Sequence, residues 1–236
     1  MTAGVKALRA LTAGVLLSVA AVAGADGNPR DPYESFNRKM FAVNETMDAY
    51  LVRPVAVGYD AATPLPVKAG VGNFFGNVGD FWGGINNALQ GKFADAGSDL
   101  GRLAINLTLG IFGLFDVASE MGFEKHDEDF GQTLAVWGVG EGPYFFWPVI
   151  GPRNLRDTAG WAADIYADPV AGVEHVANRN SLMALLFVDI RSSLLPADKV
   201  VDEASLDKYA YLRNAYFQRR RNQIFDGRPP RTEDDE

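Results

Sequence analysis

The chain has 236 residues, 47% of them hydrophobic, with 22 basic against 30 acidic side chains and a formal net charge of -8. That apolar fraction excludes a disordered chain and is ample for a sizeable core, and the acidic balance argues against nucleic acid as a partner. Cysteine is absent, so disulfide staples and thiol chemistry are both ruled out.

Lys6 and Arg9 open the chain, followed by an apolar run from Leu11 to Ala23 and then by small residues. This is the layout of a secretory signal rather than of a spanning helix. Residues 1–25 are therefore expected to be a signal peptide, ahead of a helical body over 26–226. The body opens with a helix whose apolar stripe is Phe36, Met40, Val43, Met47 and Leu51, opposite Arg38, Glu45 and Asp48. Pro54 either ends this helix or begins a new segment.

A second helix is expected around Val67 to Gln90. Glycine is frequent in this part of the chain, at Gly70, Gly72, Gly76, Gly79, Gly83 and Gly84, and again at Gly97, Gly101, Gly110 and Gly113. Each glycine inside a helix costs about 1 kcal/mol relative to alanine. Two readings stay open at this point: close helix packing or breaks between short helices, and residence in a membrane, where small residues let helices approach.

The clearest helical periodicity runs through Phe93, Ala96, Leu100, Leu103 and Leu107, with Asp95, Asp99, Arg102 and Asn106 on the other face. Its apolar stripe must be covered by something. The most apolar stretch, Leu103 to Ala118, is interrupted by Asn106, Thr108 and Asp116, and a spanning helix needs about 20 largely apolar residues. A conventional transmembrane helix is not expected.

Only Thr133 to Val139 and Tyr144 to Ile150 look extended, and Gly138, Gly140 and Gly142 can turn the chain between them. Pro143, Pro148 and Pro152 frame four consecutive aromatics, Tyr144, Phe145, Phe146 and Trp147. Such a cluster needs the protein's own core, a partner or lipid to lie against. Further helices are expected over Leu155 to Asp168, Ser181 to Leu195 and Ser205 to Gln223, and a disordered acidic tail over Gly227 to Glu236. The fold class is all-α with one aromatic, glycine-rich hairpin or loop.

The catalytic inventory is poor. His126 and His175 are the only histidines. The acids around His126 (Glu124, Asp127, Glu128 and Asp129) lack the ligand spacing of a calcium loop and read as a solvated charge run. No nucleophile elbow, zinc-protease helix or phosphate-binding loop is found. Neither catalysis, nor a metal, nor a cofactor is expected. Arg213, Arg219, Arg220 and Arg221 at the C-terminal end either complement a helix dipole or form a cationic surface for lipid headgroups or an acidic partner.

Several stretches together resemble the MlaA/VacJ family: DPYESFNRKMFAVNETMDAYLVRPVAVGY (31–59), VGNFFGNVGD (71–80), NALQGK (87–92), FGQTLAVWGVGEGPYFFWPVIGPRNLRD (130–157) and AYFQRR (215–220). The resemblance spans the body in the family's order. It implies a ring-like assembly of amphipathic helices embedded at the inner leaflet of the bacterial outer membrane, around an amphipathic channel. It also implies a role in removing mislocalised phospholipid from the outer leaflet. The implied partners are a trimeric porin and a soluble periplasmic lipid carrier.

On that resemblance Asp95, Asp99, Arg102 and Asn106 are expected to line the channel, unless their face simply meets the periplasm. Gly138, Gly140 and Gly142 are expected to hinge a mobile loop. Tyr144, Phe145, Phe146 and Trp147 are expected at the lipid interface, unless they form a local core. One departure stands out: family signals end in a lipid-modified cysteine, and here VAGA (22–25) has Ala25 in that place. Anchoring is then expected from interfacial helices. A periplasmic protein-binding module using the aromatic loop is the alternative, and a lipid hydrolase the least supported.

Overall fold

The computed structural model describes residues 28–231. The expected signal peptide and the last part of the acidic tail lie outside the described residues. The chain enters α1 (Glu34–Met47) and passes without a break through a π-helical turn, Asp48–Val52, into α2 (Arg53–Ala62). Pro54 is the reason for that turn: its missing donor and its ring are incompatible with a regular interior helical turn, but tolerable in the first turn of a new segment. The widened turn re-aims the helix instead of ending it.

The long α3 (Leu65–Leu89) packs most extensively on α4 (Phe93–Thr108). All six glycines between Gly70 and Gly84 lie inside α3, so they are not breaks. Two of them carry the packing: a Cβ on Gly83 would sit 3.0 Å from the His126 carbonyl oxygen, and one on Gly84 3.1 Å from the Leu100 side chain. After a tight loop come α5 (Val117–Glu120) and α6 (Phe130–Val136), with Asp116 and Asp129 accepting hydrogen bonds from the first-turn amides as N-caps.

The extended segment expected over Thr133 to Val139 is not one. Helix α6 occupies most of it and ends in a Schellman motif, Gly138 N–H to Ala135 O and Val139 N–H to Leu134 O, with Gly138 at φ +86. The hairpin lies further on: β1 (Tyr144–Trp147) pairs antiparallel with β2 (Gly151–Asn154) in the register Tyr144↔Asn154 and Trp147↔Gly151. Then follow α7 (Leu155–Ala167), α8 (Val176–Ser193), α9 (Leu195–Ala204) and α10 (Lys208–Ile224). Helix contacts close a circuit, α3 to α8, α8 to α9, α9 to α10, α10 to α6 and α6 back to α3. No helix among the described residues is long and apolar enough to cross a membrane.

Burial runs against the rule for soluble proteins. Among the described residues, buried polar side chains outnumber buried apolar ones, and large apolar side chains are exposed along nearly every helix. Helix α4 shows the inversion most plainly. Asp99, Arg102 and Asn106 are buried, whereas Phe93, Leu100 and Leu107 are 74, 43 and 45% exposed. Of the stripe that had to be covered, Ala96 is buried and Leu103 half-buried, but the three large side chains Phe93, Leu100 and Leu107 are not covered by protein.

Candidate functional site

The polar face of α4 is a closed network. Arg102 donates from Nε to Asp80 (3.2 Å), from Nη1 to Ser119 Oγ (3.0 Å) and the Phe123 carbonyl (2.7 Å), and from Nη2 to both oxygens of Asp116 (3.1 and 3.0 Å). Asn106 donates to Asp116 at 3.0 Å and accepts from the Ala118 amide at 2.9 Å. One turn towards the N-terminus, Asp99 accepts from Asn87 (2.8 Å) and from the His126 amide (3.1 Å). Burial pushes the Asp99 carboxyl above its ordinary range, and the His126 side chain, whose Nδ1 lies 3.1 Å away, together with these hydrogen bonds only partly offsets it.

Asp99, Arg102 and Asn106 therefore do not stand on an open path as expected; buried by protein, they bolt the 109–126 loop onto α3 and α4. Asp95 is half-buried, 3.7 Å from His126 Nε2. Of the acids near His126, Glu124 and Asp127 are exposed as a solvated run would be, but the other two are drawn inward. Glu128 accepts from Gln90 and Lys92, and Asp129 pairs with Arg220. No cluster of metal-ligating groups is found among the described residues.

Tyr144, Phe145 and Phe146 are buried and lie in the protein's core rather than at a lipid boundary. Phe146 meets Phe41 edge to face at 5.4 Å, Tyr144 packs on Tyr216 and Phe217, and Phe145 stacks on Tyr33. The alternation of a strand would turn Phe145 outward, and Tyr33 covers it. Trp147, half-buried, donates to Thr158 Oγ1 at 2.9 Å. Arg213 and Arg220 belong to the interior as well: Arg213 pairs with Asp31 and Glu34, and Arg220 with Asp129 and Asp157. Gly138, Gly140 and Gly142 sit in the exposed segment between α6 and β1; Gly142 has φ +64, and a Cβ on Gly140 would meet nothing within 4 Å.

A cavity of about 420 Å³ lies between α1 with its π-turn, the hairpin tip, and α8, α9 and α10. Its lining is mostly apolar, including Phe41, Met47, Val52, Phe146, Phe187 and Leu212. Against this wall stands a set of ion pairs. Arg191 reaches Asp48 with Nε (2.6 Å) and Nη2 (2.8 Å) and Asp198 with Nη2 (2.8 Å), and Arg53 reaches Asp198 at 3.1 Å. Lys208 pairs with Glu45 at 2.7 Å. The Arg191 guanidinium holds the Asp48 carboxyl below its ordinary range despite partial burial. At the rim, Val149 has φ +67, a costly conformation for a β-branched residue. Asn44 holds it by accepting from its amide (2.7 Å) and donating to the Trp147 carbonyl (2.8 Å).

None of Asn44, Asp48, Arg53, Arg191 and Asp198 was singled out for a site by the sequence patterns. Their signal is weak, since the helices that carry them are far apart in the chain. The partners of the α4 network had a better signal: Asn73, Asn77, Asp80 and Asn87 share one face of α3 at helical spacing.

These features define a class: a helical protein with a polar, hydrogen-bonded interior and an apolar exterior, the inversion that suits a polypeptide lying in lipid. A family model described as MlaA lipoprotein matches residues 29–223, and the chain belongs to that family. It is 35% identical over 218 residues to the intermembrane phospholipid transport system lipoprotein MlaA of Escherichia coli K12, covering 90% of this chain and 86% of that protein. It is 40% identical over 191 residues to an uncharacterized protein of Rickettsia bellii, covering 80% of this chain and 75% of that one. A solved structure from work on the structural basis for maintenance of bacterial outer membrane lipid asymmetry superposes with a TM-score of 0.72 at 33% identity, covering 84% of this chain and 99% of that chain.

Proposed function

We propose that this protein is the outer-membrane component of a phospholipid transport system. It removes mislocalised phospholipid from the outer leaflet and hands it to a soluble periplasmic carrier, working beside a trimeric porin on the periplasmic side of the membrane. The observation that carries this reading is the inverted burial of α4 and its neighbours. A polypeptide with Phe93, Leu100, Leu107 and Phe112 turned outward gains by lying in the acyl region, at roughly 25 cal/mol per Å² of apolar surface removed from water.

The lipid's route is the cavity beneath the hairpin tip, which offers apolar walls for an acyl chain and charged groups for a headgroup, so that neither part is stranded in the wrong medium. The Gly138–Gly142 segment lets the hairpin shift relative to α6. Transport of this kind needs no bond made or broken, which suits a non-enzymatic role.

The test is deletion of the gene, followed by measurement of phospholipid exposed on the cell surface and of detergent sensitivity. Both should rise on deletion, return with the wild-type gene, and stay high with Gly140→Pro, which stiffens the segment. Unchanged surface phospholipid after deletion would overturn the proposal. So would a purified protein that is monodisperse in plain buffer and ignores liposomes, the behaviour expected of a periplasmic protein-binding module.

A further inference from the structure

The charged groups lining the cavity balance. Glu45, Asp48 and Asp198 face Arg53, Arg191 and Lys208, three acids against three bases, and every one of them is engaged with a partner of opposite sign. A cavity built to hold an anion keeps a surplus of cations, because a net negative charge brought out of water needs an uncompensated positive one. This cavity has no such surplus.

Resting on the transport reading above, we infer that the cavity accepts zwitterionic phospholipid headgroups, those with a phosphate and an ammonium, in preference to net anionic ones. The phosphate pairs with the Arg191 and Arg53 guanidiniums at the cavity wall, and the ammonium exchanges into the carboxylates of Asp198 or Glu45. A zwitterion inserted into a neutral set leaves it neutral, and each of its charges finds an opposite one already fixed by the fold. A net anionic headgroup would leave the cavity with an excess negative charge. The chain's own net charge of -8 adds to that penalty.

The experiment uses the full chain, purified in detergent and equilibrated with micelles containing equal amounts of phosphatidylethanolamine, phosphatidylcholine and phosphatidylglycerol. Lipid retained by the protein is then counted by native mass spectrometry. Wild type should be enriched several-fold in the two zwitterionic lipids over phosphatidylglycerol. Asp198→Asn keeps an oxygen to accept from Arg191 and Arg53 but leaves the set one positive charge in excess, and it should shift the ratio several-fold towards phosphatidylglycerol. Asp48→Asn should do the same, so the test survives if either variant folds poorly by circular dichroism. Glu174→Gln, an exposed acid outside the cavity lining, changes net charge equally and should leave the ratio alone.

Retained lipid that mirrors the micelle, with no shift in either aspartate variant, overturns the headgroup inference while leaving transport intact. An equal shift in Glu174→Gln overturns it too, because the bias would then be one of overall charge. Retention of no phospholipid at all would sink the transport reading along with it.

Discussion

The α3–α4 hairpin and the lobe around the β-hairpin both bury side chains almost completely, but with opposite materials. Between α3 and α4 the buried groups are Asn77, Asp80, Asn87, Asp99, Arg102 and Asn106; under the β-hairpin, Tyr144, Phe146 and Tyr209 form an aromatic cluster flanked by Met40, Phe41 and Phe217. The first region buries Phe75 and Ala96 but turns most of its large apolar residues outward, and the second keeps its aromatic cluster inside. A protein immersed evenly in lipid would show the first pattern throughout, and one in water the second. The difference divides the molecule into a part held by hydrogen bonds and ion pairs among buried polar groups, which works only where exposed apolar surface is not penalised, and a part that closes on itself whatever surrounds it.

The largest expected effect comes from breaking the polar region at its centre. Arg102→Met leaves Asp80 and Asp116 without their guanidinium, and Asp80 is 1% exposed. Removing one partner of a buried pair typically costs about 3–5 kcal/mol. Thermal unfolding in detergent, followed by circular dichroism, should show the loss, and pairing the change with Asp80→Leu should recover part of it. Equal losses in the single and double variants would mean that the network is not energetically coupled. Next in size is Gly160→Ala, where α7 crosses α6. A Cβ there would lie 2.4 Å from the Gly131 nitrogen and 2.5 Å from its Cα, and backbone cannot move aside as a side-chain tip can. Overpacking of this kind costs about 1–3 kcal/mol, and the same melt checks it.

The two regions were unequally legible in the sequence. The periodicity of α4 was plain, and so was the boundary of α7, because both follow directly from residue spacing and from caps such as Asn154. What spacing does not carry is the sign of an amphipathic helix. The pattern over Phe93 to Leu107 is the same whether its apolar stripe faces a core or lipid, so Asp99, Arg102 and Asn106 read as channel lining although they are buried. In the aromatic lobe, Thr133 to Val139 looked extended because Thr and Val favour strands, yet Asp129 as N-cap and Gly138 as terminator set a helix there. The cavity's charged set was out of reach, since it joins Asp48 to Arg191 across 143 positions of chain.

Acid separates two carboxylates of the polar region. Burial acts to raise the Asp116 carboxyl, but bonds from Ser119, Asn106 and Arg102 outweigh it and hold it well below its ordinary value of 3.8. Its stabilisation is therefore complete above that ordinary value and is lost as pH falls through the lower, folded one. Asp99 has the opposite sign: its carboxyl is raised, so the folded state takes up a proton more readily than the unfolded chain, and acidification relieves the cost of its buried charge. In melts between pH 6 and pH 2, Asp116→Asn should flatten the loss of stability and Asp99→Asn should steepen it. Parallel curves for the two variants would show that these groups do not titrate as their surroundings require.

The smallest effect on stability is expected at the loop that follows α4, where Ile111 and Phe112 adopt φ +51 and +57 while being 57 and 79% exposed. Left-handed backbone costs a non-glycine residue roughly 1–2 kcal/mol, and nothing in the protein's own packing recovers it, since both side chains point away. Ile111→Gly should accordingly raise the melting midpoint in detergent by an amount corresponding to about 1 kcal/mol. If the outward side chains are what the strain serves, the same variant, and more strongly Phe112→Asp, should lower retention on phospholipid vesicles in flotation. Greater stability with undiminished flotation would show that this loop does not enter lipid, and the exposed apolar side chains of the helices would then have to hold the protein in the leaflet without it.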